Sequence, residues 1–137
     1  RTRHTDRLMK RIKSISEKRL IVEGLVNNKT AQFLIDTGAC IGLIDEDKVK
    51  EYGLLRGKRY SGKLVGVGGE MDNVRHCDTF VRIEDRVIPQ FLLADISNVV
   101  ESIKRETGIE ILGIISLPQC KMFGLSLDCN DNEIILE

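Results

Sequence analysis

The sequence predicts a mainly β domain, closed and barrel-like, with two or three short helices. Two observations carry this. Short apolar runs rich in Ile, Leu and Val recur along most of the chain, each bounded by Gly, Asn, Asp or Pro, the punctuation of strands joined by turns. Helical spacing, by contrast, is confined to a few short stretches. A length of 137 residues fits one domain. With 42% hydrophobic residues but only 4% aromatic and no tryptophan, its core has to be aliphatic.

The elements follow in order. Within residues 5–18, Leu8, Ile12 and Ile15 stand at helical spacing behind Thr5 or Asp6 as a cap, which reads as a short amphipathic helix or a disordered lead-in. Residues 20–26 form a strand, Asn27-Asn28 a turn, and residues 30–35 the hairpin partner. Asp45 caps a helix over residues 46–52 that Gly53 closes. Residues 54–63 are polar and read as irregular. A glycine-tipped hairpin spans residues 63–74. Residues 77–84 and 87–94 form another hairpin turning at Asp85-Arg86, with Pro89 marking an edge. Ile96, Val99, Val100 and Ile103 predict a helix over residues 98–107, with Ser97 as cap and Gly108 as stop. Residues 109–112 read as a strand, 113–120 as a short helix, and 123–128 and 133–136 as the last strands, joined through Asn130-Asp131-Asn132. There is no internal repeat and no low-complexity segment.

One segment carries chemistry. Asp36-Thr37-Gly38-Ala39 lies between the apolar runs Phe33-Leu34-Ile35 and Ile41-Gly42-Leu43-Ile44. A carboxylate between two buried strands is costly unless hydrogen bonds or a function hold it there. Thr37 offers a hydroxyl to fix the loop, and Gly38 lets a second backbone approach closely. Downstream, Val65-Gly66-Val67-Gly68-Gly69-Glu70 suits a hairpin tip, because glycine permits positive φ. Ile111-Leu112-Gly113 then leads into Ile114-Ile115-Ser116-Leu117.

These three elements in this order resemble the retropepsins, the one-lobe aspartic proteases of retroviruses and of some cellular and bacterial proteins. The likeness runs from about residue 19 to the end. It implies the retropepsin (acid protease) fold. It also implies catalysis by two carboxylates that share one proton, one acting as base toward water and the other polarising the scissile carbonyl. The chain has a single Asp-Thr-Gly, so a working site needs Asp36 from two chains related by a two-fold axis. The implied catalytic residues are Asp36, Thr37, whose hydroxyl would bond across the axis, and Gly38, whose carbonyl would meet substrate backbone. Ala39, Val67, Gly68 and Gly69 are the implied substrate-binding residues, the last three in a flap over the substrate, and Gly113 would pack beneath the active-site loop. No metal or organic cofactor is implied, since water is the nucleophile. Viral members carry an acidic residue where Cys40 stands and an arginine where Ile114 stands, so the chain looks closer to cellular and bacterial members. The expected activity is that of a homodimeric aspartic endopeptidase acting on extended polypeptides with apolar side chains at the bond. The alternative is an inactive dimerising or peptide-binding module of the same fold. Intact Asp36, Thr37 and Gly38 favour the enzyme.

Net charge is zero but uneven. Residues 1–20 hold eight Lys/Arg against Asp6 and Glu17, a net +6, so the remainder carries −6. Residues 1–17 read as a basic linker or pro-segment ahead of a protease domain over residues 18–137. A solvated tail is favoured over a contact with nucleic acid, an acidic partner or a membrane surface. No apolar run is long enough to cross a bilayer. Cys40, Cys77, Cys120 and Cys129 have no CxxC spacing and read as reduced and mostly buried, which suggests a reducing, cytoplasmic setting. Cys40 is expected to be a small buried hydrophobe rather than a redox switch.

Overall fold

The computed structural model describes residues 9–66 and 69–137, and its elements are mainly β. β1 (Lys10–Lys13) precedes a hairpin of β2 (Ile21–Val26) and β3 (Lys29–Asp36). Its turn residues Asn27 and Asn28 have φ of 50° and 65°. Asparagine tolerates that left-handed region better than most side chains, and two in succession twist the turn to match the strands. β4 (Gly42–Asp45) runs into a 3-10 turn (Glu46–Lys48) and α1 (Val49–Tyr52), which Gly53 ends at φ 63°. β5 (Arg56–Arg59), β6 (Val65–Gly66) and β7 (Gly69–Glu70) follow, then β8 (Arg75–Cys77), β9 (Val81–Ile83), β10 (Arg86–Ile88) and β11 (Phe91–Ala94). The chain ends with α2 (Ser97–Thr107), β12 (Gly113–Ser116), α3 (Leu117–Phe123), β13 (Leu125–Asp128) and β14 (Glu133–Leu136).

Nine strands form one sheet in the order β10-β9-β2-β3-β12-β4-β11-β8-β5; β1, β14 and β13 form a second, and β6 pairs with β7. The central strands are buried on both faces. Along β3, Phe33 and Ile35 enter one apolar cluster and Leu34 the other; along β12, Ile115 enters the first and Ile114 the second. That two-sided burial is why these strands read as unbroken apolar runs rather than alternating ones. α2 covers the second face with Val100 and Ile103. Each fully buried aliphatic or aromatic side chain contributes about 1.5–3 kcal/mol, so the two-faced centre is the main source of stability.

Several expectations change. The nine-stranded ladder has two ends, β10 and β5, so the barrel-like closure expected from many short strands is not part of its pairing. The short helix or disordered lead-in expected within residues 5–18 gives way at Lys10–Lys13 to strand β1, paired with β14 from Lys10↔Leu136 to Lys13↔Glu133. Helical spacing lost because Ile12 finds a core contact as a strand residue, and residues 1–8 lie outside the described residues. Residues 56–59, expected to be irregular, pair with β8 across a bulge. The 85–86 turn falls one residue earlier, with Glu84 at φ 54°. β8 and β11 join each other rather than extending the β9–β10 hairpin. The stretch 113–116 is strand, not helix, since β12 pairs in parallel with β3, and α3 starts only after it. At α2 the capping acceptor is Asp95, whose Oδ1 accepts from the Ser97 N–H and hydroxyl. All four cysteines are free, but Cys40 and Cys129 are exposed.

Residues 10–17 are tied into the domain by more than pairing. Ser14 is buried, and its hydroxyl accepts from the Ile21 N–H at 2.9 Å. Arg11 reaches Asp128 and Glu133 at 3.2 and 3.0 Å. Removing residues 1–17 is therefore expected to destabilise the domain by about 3 kcal/mol, the combined loss of a strand pairing, a buried hydroxyl network and the Ile12 contact. Chemical denaturation of a chain starting at Lys18 checks this, and an unchanged midpoint would refute it.

Candidate active site

β3 ends at Asp36, half-buried, opposite Ser116 of the parallel strand β12. The chain must turn there because β4 returns on the far side of β12. The turn is held by its own groups. Asp36 Oδ1 accepts from the Gly38 N–H at 2.9 Å, and the Asp36 carbonyl accepts from the Ala39 N–H at 3.1 Å. The Ala39 carbonyl in turn accepts from the Leu117 N–H at 3.2 Å, which ties the loop to the start of α3.

Two close approaches support this loop from below. A Cβ on Gly113 would overlap the Leu43 carbonyl oxygen, so β12 and β4 can pack at this distance only with glycine there. A Cβ on Gly42 would land on the Gln119 carboxamide. Gln119 is buried, and each end of its side chain is used. Its Oε1 accepts from the Ser116 N–H at 2.9 Å and the Ser116 hydroxyl at 3.0 Å, and its Nε2 donates to the Pro89 carbonyl at 2.9 Å. With Ser116 Oγ accepting from the Gln119 N–H, this is a capping box whose far side holds the loop before β11.

Beside Asp36 opens a cleft of about 500 Å³. Ala39, Leu43 and Ile114 line it from the sheet, Leu64, Val65, Gly69 and Met71 from the β6–β7 hairpin, and Ile96 and Val99 from the start of α2. The hairpin is closed at its base by the Met71 N–H donating to the Leu64 carbonyl at 2.7 Å. Glu70, Asp72, Asp95 and Asn98 also line the cleft and are exposed. The two bonds from Ser97 hold the Asp95 carboxyl below the usual carboxylate range. Asp45, buried behind it, is pushed above that range, mainly by burial.

Of the residues expected at the site, Asp36, Ala39 and Gly69 thus line one cleft. Thr37 and Gly38 are exposed on the loop between them, and Val67 and Gly68 lie outside the described residues. Cys40 is not the small buried hydrophobe expected. It is exposed at the mouth of a neighbouring cavity of about 320 Å³ shared with His76 and Gln90. Burial at Cys120, by contrast, pushes its thiol up to about 11. Sequence reasoning passed over Glu70, Asp72, Asp95 and Gln119. The signal for Gln119 was the Ser-x-x-Gln capping pattern at 116–119. The acids had no local motif. Two acidic groups converge: Asp128, Asp131 and Glu133 away from the cleft, and Asp45 and Asp47 with the cleft-lining Asp95. Asp128 Oδ1 accepts from the Asn130 and Asp131 amides, and Asp45 Oδ1 from the Asp47 amide.

Residues 22–115 match the family model described as aspartyl protease. The chain belongs to the aspartyl protease family. Its fold is that of the retropepsins. It is similar to EIAV protease complexed with the inhibitor HBY-793 (TM-score 0.59, 23% identity, 85% of this chain and 99% of that one). It is also similar to the retroviral protease-like domain of Ddi1 from Leishmania major (TM-score 0.56, 20% identity, 85% and 91%). A retropepsin-like aspartic protease from Rickettsia conorii aligns over 93% of this chain and 89% of that one, at TM-score 0.57 and 16% identity. At these identities the likeness is one of fold. No curated protein sequence matches the chain.

Gln119 lies against Gly42, where the chain leaves the Asp-Thr-Gly loop for β4, and bonds both Ser116 and Pro89. Gln119→Leu leaves the Ser116 N–H and the Pro89 carbonyl without their partner in a buried setting. The variant is expected to lose about 2–4 kcal/mol of stability. Urea unfolding measures it, and a loss below the scatter of surface variants would remove Gln119 from this role.

Proposed function

We propose that two copies of this chain form one aspartic endopeptidase site, with an Asp36 from each. The observation that carries this reading is the position of Asp36. The one Asp of the chain followed by Thr-Gly stands at the end of a buried strand, beside a cleft that the β6–β7 hairpin helps to line. Two carboxylates brought together across a two-fold axis hold one proton between them, because both cannot ionise at close range. The ionised one takes a proton from a water molecule as its oxygen attacks the scissile carbonyl carbon. The protonated one gives its proton to the carbonyl oxygen, which yields a tetrahedral diol. Collapse of the diol breaks the C–N bond, the leaving nitrogen takes up a proton, and the shared-proton state returns.

In this reading Thr37 bonds to the opposite loop, and Gly38 offers its carbonyl to substrate backbone. Ala39 contacts substrate from below, and Val67, Gly68 and Gly69 form the flap above it. The substrate is an extended polypeptide whose apolar side chains fill the space between Leu43, Ile114 and Val99. The family match and the retropepsin fold support the protease class.

Asp36→Asn is expected to abolish turnover with fold and assembly intact, since the amide is nearly isosteric but cannot shuttle the proton. Excess Asp36→Asn chain mixed with wild type should poison activity through mixed dimers, and specific activity should fall on dilution. A monomer by light scattering that keeps full specific activity on dilution would exclude a two-chain site.

The rate profile is expected to be bell-shaped and centred below neutrality, because activity needs one carboxylate protonated and the other ionised. A rate that climbs steadily into alkaline pH would point instead to a thiolate, and Cys40→Ser would then remove it.

A further inference from the structure

The cleft beside Asp36 is lined by apolar side chains from the sheet and by acids from the hairpin and the start of α2. Glu70 and Asp72 come from the β7 side of the hairpin and Asp95 from the residue before Ile96 and α2; among the described residues no Lys or Arg lines it. Asp95 also belongs to a tighter group, since one carboxylate oxygen from each of Asp45, Asp47 and Asp95 lies within 4.8 Å of the others. Among the described residues none of these five acids is in an ion pair. The cation beside the group, Lys48, is held elsewhere, by Glu110 at 2.7 Å and Glu51 at 3.5 Å. Unpaired carboxylates this close repel one another, and a cation placed among them relieves that repulsion while pairing with the ionised member. Oδ1 of Asp45 and Oδ1 of Asp95 already accept loop hydrogen bonds, so the group offers one face to an incoming donor rather than a shell around an ion.

We propose that the acid-lined side of this cleft is a subsite for a lysine or arginine side chain of the substrate, with Asp95 its principal partner and Glu70 and Asp72 contributing from the hairpin. This rests on the protease reading and adds to it the substrate class: extended peptides with apolar residues at the bond and a basic residue nearby. The stem of such a side chain packs along Ile96 and Val99 while its charged head reaches the carboxylates. The chain's own Arg7-Leu8-Met9-Lys10 has this pattern, an apolar pair between two cations.

The test uses a fluorescent peptide with the sequence of residues 1–17, and the same peptide with arginines replaced by citrulline and lysines by norleucine. Binding is measured by anisotropy on the full-length Asp36→Asn chain, and cleavage by mass spectrometry with wild type. The charged peptide is expected to bind about tenfold tighter and to be cut with about tenfold higher kcat/KM at low salt, with the preference shrinking as salt is raised. Asp95→Asn should reduce the preference to about twofold. The pair Glu70→Gln with Asp72→Asn should lower it independently, which covers the case in which Asp95→Asn fails to fold. Glu101→Gln, which removes the same unit of charge from the exposed face of α2, should leave it unchanged. Equal binding of the two peptides overturns the subsite, as does a preference that survives the loss of Asp95. An effect of Glu101→Gln as large as that of Asp95→Asn also overturns it, since the attraction would then be that of net charge. If wild type cuts neither peptide while the Asp95-dependent binding preference persists, the subsite stands and the catalytic reading fails.

Discussion

The candidate site depends on the parallel pairing of β3 with β12. The register runs from Gly113↔Phe33 to Ser116↔Asp36, so the two strands end at the same level. Beyond that level the chains diverge, Asp36 into the loop toward β4 and Ser116 into α3. A parallel pair needs a long crossover, and here the crossover carries every element from β4 to α2. β4 then packs on the other edge of β12, close enough that only glycine fits at 113. The carboxylate is therefore placed by backbone ladders on a strand buried on both faces. Such a strand cannot shift by one residue without moving Phe33 and Ile35 out of their cluster.

The same junction explains why its polar groups are so heavily shared. Where β12 stops, the first amides of α3 lose their ladder partners in a buried setting. Ser116 and Gln119 satisfy them reciprocally, and the remaining amide of Gln119 is spent on the Pro89 carbonyl. The helix start thereby fixes the loop before β11, while the Leu117 amide fixes Ala39. Three stretches far apart in sequence, 36–42, 89–91 and 116–119, become one rigid unit through a single side chain and its neighbours.

Legibility in the sequence followed the range of the interaction. The Asn27-Asn28 turn, the Gly53 and Gly108 stops and the Asp-Thr-Gly loop were readable because their causes lie within a few residues. The boundary between β12 and α3 was not, because Ile114 and Ile115 are strand residues only through β3, some eighty positions earlier. β1 was read as a helix or a disordered lead-in, and not as a strand, for the same reason. Its partner is β14, at the other end of the chain, and Leu8, Ile12 and Ile15 carry a spacing that local pattern alone assigns to a helix. Asp36 was legible as a candidate site residue, whereas Glu70, Asp72 and Asp95 were not singled out until the fold brought the hairpin and the start of α2 to one cleft.

That convergence bears on the two positions where the chain departs from the viral pattern. Ile114 stands where the pattern has arginine. It is buried, only 5% exposed, belongs to the second apolar cluster and lines the cleft beside Leu43 and Val99. A guanidinium there would need a carboxylate within reach, and position 40, the acidic partner in the viral pattern, is an exposed cysteine opening on a different cavity. Replacing both members removes a charge pair without stranding either half, and leaves an unbroken apolar floor. Negative charge is not thereby lost from the cleft. It stands instead at Asp95 on the helix side and at Glu70 and Asp72 on the hairpin, where among the described residues no arginine pairs with it. An acid paired internally serves the fold, whereas an unpaired acid facing a cleft remains open to a ligand. On the proposed protease reading, this displacement of charge from the loop to the hairpin and the start of α2 predicts a substrate preference set by Asp95, Glu70 and Asp72.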